Sequence, residues 1–530
     1  MVLDVVIKNG RIVDGTGSAW FRGSIGIVGG EISEISRKPD PDFTGDVEIN
    51  TEESIIAPGF IDTHSHSDLQ LFQDPTLAPK IKQGITTEIL GQDGFSMAPM
   101  YREGGAEEWK TQLSALAGDV AVDWSWGSIP DYFSAVRDNG IAPNVGMLVG
   151  HGTARFNVLG MDDRTPSESE LEEMQDLVTE ALEDGALGFS TGLIYTPATY
   201  ASTEEVAALA KCLAPYGRPF IAHIRSEGRW IWEALDEFID IGAEYDIPLH
   251  LSHFKLAGTQ QHGRTTDAVK QLETARKRGV DIVAEQYPYD SGSTMLSAVL
   301  PPWVHSQGPN ELIAQLGEAE IRERMRRDIE EWRIEGWENF AGLAGWDNVH
   351  VTSAPETPEQ EGLSIAEIAT QEEQPAIDVA CDLLIENELS VSMRVKILAE
   401  NDVREILSHE LVAIGTDGLF GGEPHPRVYG SYPRILGHYV RDENLLTLEE
   451  AIRKMTALPA RAMGIDGKGV LKPGMDADVV VFDPEVVSSS ASYENPRQYP
   501  QGISHVFVNG EAVVAESDVT KNKPGEVIVS

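Results

Sequence analysis

Residues 55–66 read IIAPGFIDTHSH, an apolar run that ends in a cluster of polar side chains. A run with no polar face predicts a strand covered on both sides, as in a parallel sheet. Seven further runs share this character: GITTEILGQD (84–93), APNVGMLVGH (142–151), GALGFSTG (185–192), RPFIAHIR (218–225), DIPLHLSH (246–253), VDIVAEQY (280–287) and LVAIGTDG (411–418). Amphipathic stretches follow most of them, among them 167–184, 202–217, 227–245 and 265–279. Each starts near Ser or Thr or at a charged turn and carries apolar residues three and four apart, the helical spacing. Eight strand–helix alternations predict an α/β fold, a parallel (β/α)8 barrel of the TIM type. An open doubly wound sheet is the alternative.

Both ends of the chain read differently. Short β-rich segments between glycine turns fill the first 55 residues, and ADVVVFDP, ISHVFVNG, EAVVAE and GEVIVS fill the last 60 or so. They predict a small β-sheet domain assembled from both termini, residues 1–56 and 466–530, around a barrel at 57–465. Two gaps interrupt the barrel rhythm, at 94–141 and 288–411. A structureless loop as long as the second is improbable. An inserted helical lid at about 295–390 is expected there.

The 86 acidic residues outnumber the 41 basic ones, for a net charge of −45. Such a surface repels nucleic acid and anionic membranes, and no apolar stretch is long enough to span a bilayer. The acidic residues are spread along the chain, as expected of a protein adapted to concentrated salt, which screens self-repulsion. A merely acidic protein of ordinary salt is the alternative. The two cysteines, Cys212 and Cys381, lie in helical patterns and read as small core residues. MVLDVVIKNGRIVDG carries acids and a turn where a secretion signal has its apolar core, so a cytoplasmic location is expected. The tryptophans of VDWSWGS and RWIWEAL read as packing, and no phosphate-loop motif occurs.

The polar ends of the eight runs carry the chemistry. His64 and His66 are two apart and so share a strand face. Asp93 ends the second run, His223 falls in the fifth, His253 ends the sixth and Asp417 lies in the eighth. In a barrel these ends meet on one rim. Four imidazoles and two carboxylates gathered there can hold one or two divalent cations, with zinc favoured and manganese or iron admitted. His151, in GHGTAR on the third run's end, reads either as support for this cluster or as packing.

PGFIDTHSHSD (58–68) resembles the first-strand signature of the amidohydrolase superfamily, and the chain as a whole resembles its D-aminoacylase branch, the N-acyl-D-amino-acid deacylases. KIKQGITTEILGQDGFSMAP, GALGFSTGLIYTPATYAS, HIRSEG, LSHFKLAG, EQYPYDSGST, AIGTDG and PHPRVYGSYPRILGHYV carry the likeness in order, followed by MTALPARAMGI, GVLKPGMDADVVVFDP and NPRQYPQGISHVFVNG. The resemblance implies a distorted TIM (β/α)8 barrel with a small β-sandwich domain formed by both termini, with His64, His66, His223 and His253 as metal ligands and Asp417 as the general acid–base. It implies that Lys255 and Arg427 bind a substrate carboxylate and that Tyr195 and Tyr287 line the pocket. Ser293, in the loop after the seventh run, is placed to meet the same carboxylate. At Asp93 the chain departs from the branch, which has a bridging cysteine there. A carboxylate can also bridge two cations, and as a harder ligand than thiolate it shifts the site toward accepting zinc, manganese or iron alike. No lysine ends the fourth run, so the carbamylated lysine of other branches is not expected.

The expected reaction is hydrolysis of the amide of an N-acyl-D-amino acid by a metal-activated hydroxide, with Asp417 moving the proton. The substrate is a small molecule carrying a carboxylate. A cyclic amide or imide hydrolase of the hydantoinase or dihydroorotase kind is the alternative within the superfamily, and a non-catalytic metal-binding scaffold the alternative outside it. Oligomeric state is left open by the sequence.

Overall fold

The computed structural model of the 530-residue chain describes residues 3–117, 120 and 122–530. Eight parallel strands form the barrel: β1 (Phe60–Asp62), β2 (Ile85–Leu90), β3 (Asn144–Met147, continued by Val149–Gly150), β4 (Phe189–Gly192), β5 (Phe220–His223), β6 (Leu249–Leu251), β7 (Ile282–Gln286) and β8 (Val412–Ile414). Each strand pairs with its sequence neighbour in parallel, and every strand residue is buried. That is why the runs are continuously apolar.

The ring is distorted at two points. Within β3 the ladder changes partner at Leu148: its N–H donates to Leu90 O at 3.0 Å, while Val149 N–H donates to Gly188 O at 3.0 Å. Between β8 and β1 the strands themselves do not pair. Closure comes beyond their ends, from a bridge between Ser65 and Gly418 and from Asp417 N–H donating to His64 O at 2.9 Å. The seam of the barrel therefore lies at the residues that carry the site.

Helices cover the outside. Ser167 and Glu170 form a reciprocal capping box at the start of Glu168–Glu183, and Ser202 caps Thr203–Ala210. The pattern read as a helix from residue 227 begins later, at Ile231. Residues 224–230 are thereby left as a loop free to fold back over the rim.

Both termini build one nine-stranded sheet, in which Val479–Phe482 pairs with Ile55–Pro58 and the latter with Leu3–Ile12. Alternate side chains separate its faces. Val479 and Val481 join Val5, Ile7, Ile25 and Ile27 in a core of the sheet's own, whereas Val480 and Phe482 pack toward barrel residue Phe60. The long insertion is not purely helical. Its helices, from Pro309–Leu316 to Ala376–Glu386, surround a three-stranded antiparallel sheet of Ser291–Met295, Ser392–Lys396 and Val349–Ser353. The outer two segments of the insertion are thus strands that start before residue 295 and end after 390. Trp126 stacks on Phe72 with its indole N–H donating to Met97 O, a packing role. Cys381 is buried, Cys212 half-buried, and both are free thiols.

A candidate two-cation site on the barrel rim

The six side chains singled out in the sequence come together at the C-terminal ends of β1, β2, β5, β6 and β8, all buried. His223 ends β5, whereas the others lie just beyond their strands. Three of them take left-handed backbone conformations: Asp93 at φ 54°, His253 at 34° and Asp417 at 51°. Non-glycine residues there cost about 1–3 kcal/mol each and persist where surrounding structure holds them. Here the bend ends each strand and turns the side chain inward over the barrel axis.

Two ligand groups result, and Asp93 belongs to both. Its Oδ2 lies 3.5 Å from His64 Nε2 and 3.6 Å from His66 Nε2. Asp417 Oδ1 completes that group, 3.3 Å from His66 Nε2 and 3.6 Å from His64 Nε2. The other oxygen of Asp93, Oδ1, lies 3.5 Å from His253 Nε2 and 3.8 Å from His223 Nδ1. Donors on a tetrahedral zinc, with bonds of 2.0–2.2 Å, stand roughly 3.3–3.6 Å apart. Five of the six spacings fall in that range, and the sixth, from Asp93 to His223 at 3.8 Å, lies just above it. Hydrogen bonding points the same way: His64 Nε2, Asp93 Oδ1 and both ring nitrogens of His223 are buried with no hydrogen-bond partner. Buried polar atoms left so are costly unless something else binds them.

Burial opposes charge on every member, and the pairing decides the outcome. Desolvation pushes Asp93 and Asp417 up, but the histidines, and for Asp417 the Arg427 guanidinium, hold both carboxyls well below their usual range. His64 and His66 are raised because those carboxylates outweigh burial. His223 is pushed down to about 3, chiefly by burial. His253 is raised as His64 and His66 are, so the ionised carboxylates attract either protons on these imidazoles or a dication, and binding the dication would release those protons.

Further carboxylates stand behind the ligands. Glu285 on β7 lies 2.6 Å from His64 Nδ1 and 2.7 Å from His250 Nε2, and it accepts from His253 N–H at 3.3 Å. Asp62, which shares strand parity with His64, accepts from Thr416 N–H at 2.8 Å and from His64 N–H at 3.3 Å. The ammonium of Lys80 joins Asp62, Ser65 and Thr416 at 2.7–3.0 Å and Glu88 at 3.1 Å, fully buried. Glu227, in the loop after β5, meets Lys255 and His253. Sequence reasoning passed over all of these. The available signal was a carboxylate inside an otherwise apolar strand, at Glu285 and Glu88.

The expected substrate groups lie beside the cluster. Lys255 Nζ is 2.8 Å from His253 Nδ1 and 2.6 Å from Glu227 Oε1. Arg427 Nη1 is 2.8 Å from Asp417 Oδ2, and its Nη2 donates to Ser293 O at 2.9 Å. Ser293 therefore meets Arg427 through its backbone carbonyl. Tyr287 packs against both cations, its ring 5.8 Å from Lys255 Nζ and 4.7 Å from the Arg427 guanidinium. Tyr195 stands edge-on to His223, with its hydroxyl 2.8 Å from Thr294 Oγ1. His151 lies elsewhere, hydrogen-bonded to Thr191 and to the buried Arg155–Glu205 pair, which makes it a packing residue. At the end of β4 a side chain on Gly192 would collide with the Asp93 carbonyl at 2.4 Å. The turn bearing Asp93 fills the space that a strand-four lysine would need.

Comparison with known proteins gives a consistent result. Residues 47–514 match the family model described as the amidohydrolase family. A D-aminoacylase from Alcaligenes xylosoxydans xylosoxydans is 33% identical over 99% of this chain and 97% of its own length. An N-acyl-D-glutamate deacylase from the same organism is 34% identical over 99% and 96%. The crystal structure of N-acyl-D-glutamate deacylase from Bordetella bronchiseptica, in complex with zinc and a phosphonate mimic of the tetrahedral intermediate, superposes with a TM-score of 0.85 at 32% identity, covering all of both chains.

Proposed function

The chain belongs to the amidohydrolase family, and from that premise we propose that it hydrolyses the amide bond of an N-acyl-D-amino acid, releasing a carboxylate and the free D-amino acid. The observation that carries this is the juxtaposition of two ligand groups sharing Asp93 with two cations, Lys255 and Arg427, at their edge. The full-length likeness to N-acyl-D-amino-acid deacylases supports that substrate over a cyclic amide or imide. The likeness to deacylases along the whole chain, together with two buried His–Asp groups able to hold an ion, supports an enzyme over a non-catalytic scaffold.

His64, His66, Asp93 and Asp417 would hold one cation, and Asp93, His223 and His253 a second. Zinc suits this donor set, and the carboxylate at position 93 admits manganese or iron. A cation there supplies acidification of water and polarisation of the amide carbonyl.

The rest is done by side chains. Lys255 and Arg427 bind the substrate's α-carboxylate by charge-assisted hydrogen bonds, with Tyr287 beneath them. Arg427 and the neighbouring histidines favour the ionised form of Asp417, the form that can accept a proton. It takes a proton from the attacking water as the O–C bond forms and gives it to the amide nitrogen as the C–N bond breaks. Tyr195 and Tyr287 remain protonated, since burial raises both hydroxyls well above their ordinary range. As neutral hydroxyls they can hydrogen-bond the substrate or line the pocket but not act as bases.

The net charge of −45 supports a cytoplasm rich in salt as the working environment. No helix among the described residues is long and apolar enough to cross a membrane. The test is a panel of N-acetyl-D- and L-amino acids and hydantoins, assayed at low and high salt with metal content measured on the same sample. Turnover of the D-series that D417N abolishes is expected. Preference for hydantoins would overturn the substrate assignment, and full activity without salt the salt-adapted reading.

A further inference from the structure

Glu227 lies at the junction of the metal and substrate groups. It is buried, in the loop between β5 and the helix Ile231–Tyr245. Its Oε1 is 2.6 Å from Lys255 Nζ and 2.8 Å from His253 Nδ1, and its Oε2 is 3.6 Å from His223 Nε2. Both histidines of the second ligand group therefore present one nitrogen to Asp93 and the other to this single carboxylate.

The position of Lys255 makes the arrangement consequential. Its ammonium is also 2.8 Å from His253 Nδ1, so a donor and an acceptor compete for one ring nitrogen. If Lys255 donates to Nδ1, a neutral ring carries its proton on Nε2, and the nitrogen facing Asp93 has no lone pair to offer. If Nδ1–H donates to Glu227, the lone pair on Nε2 points at the second ligand group. The tautomer of a histidine ligand is set by the partner of its other nitrogen.

We propose that Glu227 is a positioning residue that decides this competition: it accepts the Nδ1 proton of His253, holds the Lys255 ammonium to itself, and so prepares the second cation group alone. The first group has its own partner, because His64 Nδ1 pairs with Glu285 at 2.6 Å. The two groups share Asp93, but their ring nitrogens meet separate carboxylates, Glu285 behind His64 and Glu227 behind His253 and His223, and Glu285 touches His253 only at its backbone N–H. This inference rests on the reading of the cluster as a cation site.

The experiment is zinc and cobalt binding by competition against a chromophoric chelator, in the full chain, with a thermal midpoint on every sample. E227Q is expected to weaken the second ion by about 10–100-fold and the first by no more than about twofold, the range seen when a ligand's outer partner is lost. In an H223A background, where the second group is already broken, E227Q should change nothing further. Adding K255M to E227Q removes the competing donor and should restore most of the affinity. Equal weakening of both ions, no weakening, or no recovery with K255M overturns the proposal. Should E227Q alone not fold, K255M and E227Q/K255M are compared instead. With the ammonium absent from both, the difference should shrink to about threefold, and a tenfold or larger loss overturns the proposal. Failure of the unsubstituted chain to bind any divalent cation would instead refute the cation site itself.

Discussion

Arg427 Nη1 lies 2.8 Å from Oδ2 of Asp417, while the other oxygen of that carboxylate faces His66 Nε2 at 3.3 Å. In the proposed reaction one group thus serves two ends: Arg427 holds the carboxylate assigned to proton transfer and is also placed to take the substrate's own carboxylate. R427M should raise KM by about 10–100-fold, the loss of a buried charge-assisted hydrogen bond. It should also shift the acid limb of kcat/KM to higher pH, because the guanidinium is one of the groups holding Asp417 ionised. A pH–rate profile of the variant checks both. An unchanged KM with an unshifted limb would separate Arg427 from substrate and base alike.

Asp93 faces the two ligand groups with different oxygens, 3.5 Å from His64 and 3.5 Å from His253. D93C replaces two hard donors by one soft sulfur. The ratio of zinc to manganese affinity should rise at least about tenfold. Because the residue sits at φ 54°, where aspartate is better tolerated than cysteine, a stability cost of about 1 kcal/mol should accompany the change. Competitive metal titration and thermal midpoints read the two effects. Manganese affinity equal to that of the parent would mean that Asp93 does not bind the cations.

The barrel was legible because strands buried on both faces leave unbroken apolar runs, and His64 and His66 were legible because period-two spacing puts them on one face. Less of the supporting structure showed. DIPLHLSH ends in two histidines, and spacing alone does not separate them. His250 points to Glu285, whereas the left-handed bend at 253 turns the second ring into the cluster. Glu285 meets His64 across 221 residues of chain, and no local pattern records such a pairing. Glu227 was hidden inside a stretch whose apolar spacing reads as helix from residue 227, although the helix begins at Ile231. In the insertion, SGSTM reads as a turn, yet it pairs residue by residue with Ser392–Lys396.

Glu338, from the insertion, is buried and accepts from Ser226 Oγ at 2.5 Å, while its Oε1 has no partner. Burial, reinforced by the charge of Glu227, pushes its carboxyl up from 4.5 to about 7. Between those values the folded chain retains a proton that the unfolded chain has released. Stability therefore falls as pH rises through the window and stays lower above it. E338Q removes the ionisation. It should raise the thermal midpoint at pH 8, by up to about 3 kcal/mol in stability, and give no gain near pH 4. Thermal melts of both proteins across that range supply the check, and parallel profiles would show that Glu338 does not titrate there.

Lys80 is fully buried, and its ammonium joins the segments that carry His64, His66 and Asp417. It donates to Asp62 at 2.7 Å, Thr416 at 2.9 Å and Ser65 at 3.0 Å. Asp62 in turn accepts from Thr416 N–H at 2.8 Å, one residue before Asp417. These bonds span the seam where β8 and β1 do not pair, so the network substitutes for the missing ladder. K80M leaves Asp62 and Glu88 buried without a cation, a change that costs about 3–5 kcal/mol. The thermal midpoint should fall by several degrees, and kcat should fall with it in whatever fraction remains folded, because Asp417 loses its register against His64 and His66. D62N/K80M removes one of the stranded charges and should recover stability without recovering kcat, since the side-chain amide offers Thr416 a neutral acceptor in place of a charged one. A K80M protein that keeps both its midpoint and its turnover would show that the seam is held without Lys80, by the Thr416–Asp62 and Asp417–His64 bonds and the Ser65–Gly418 bridge.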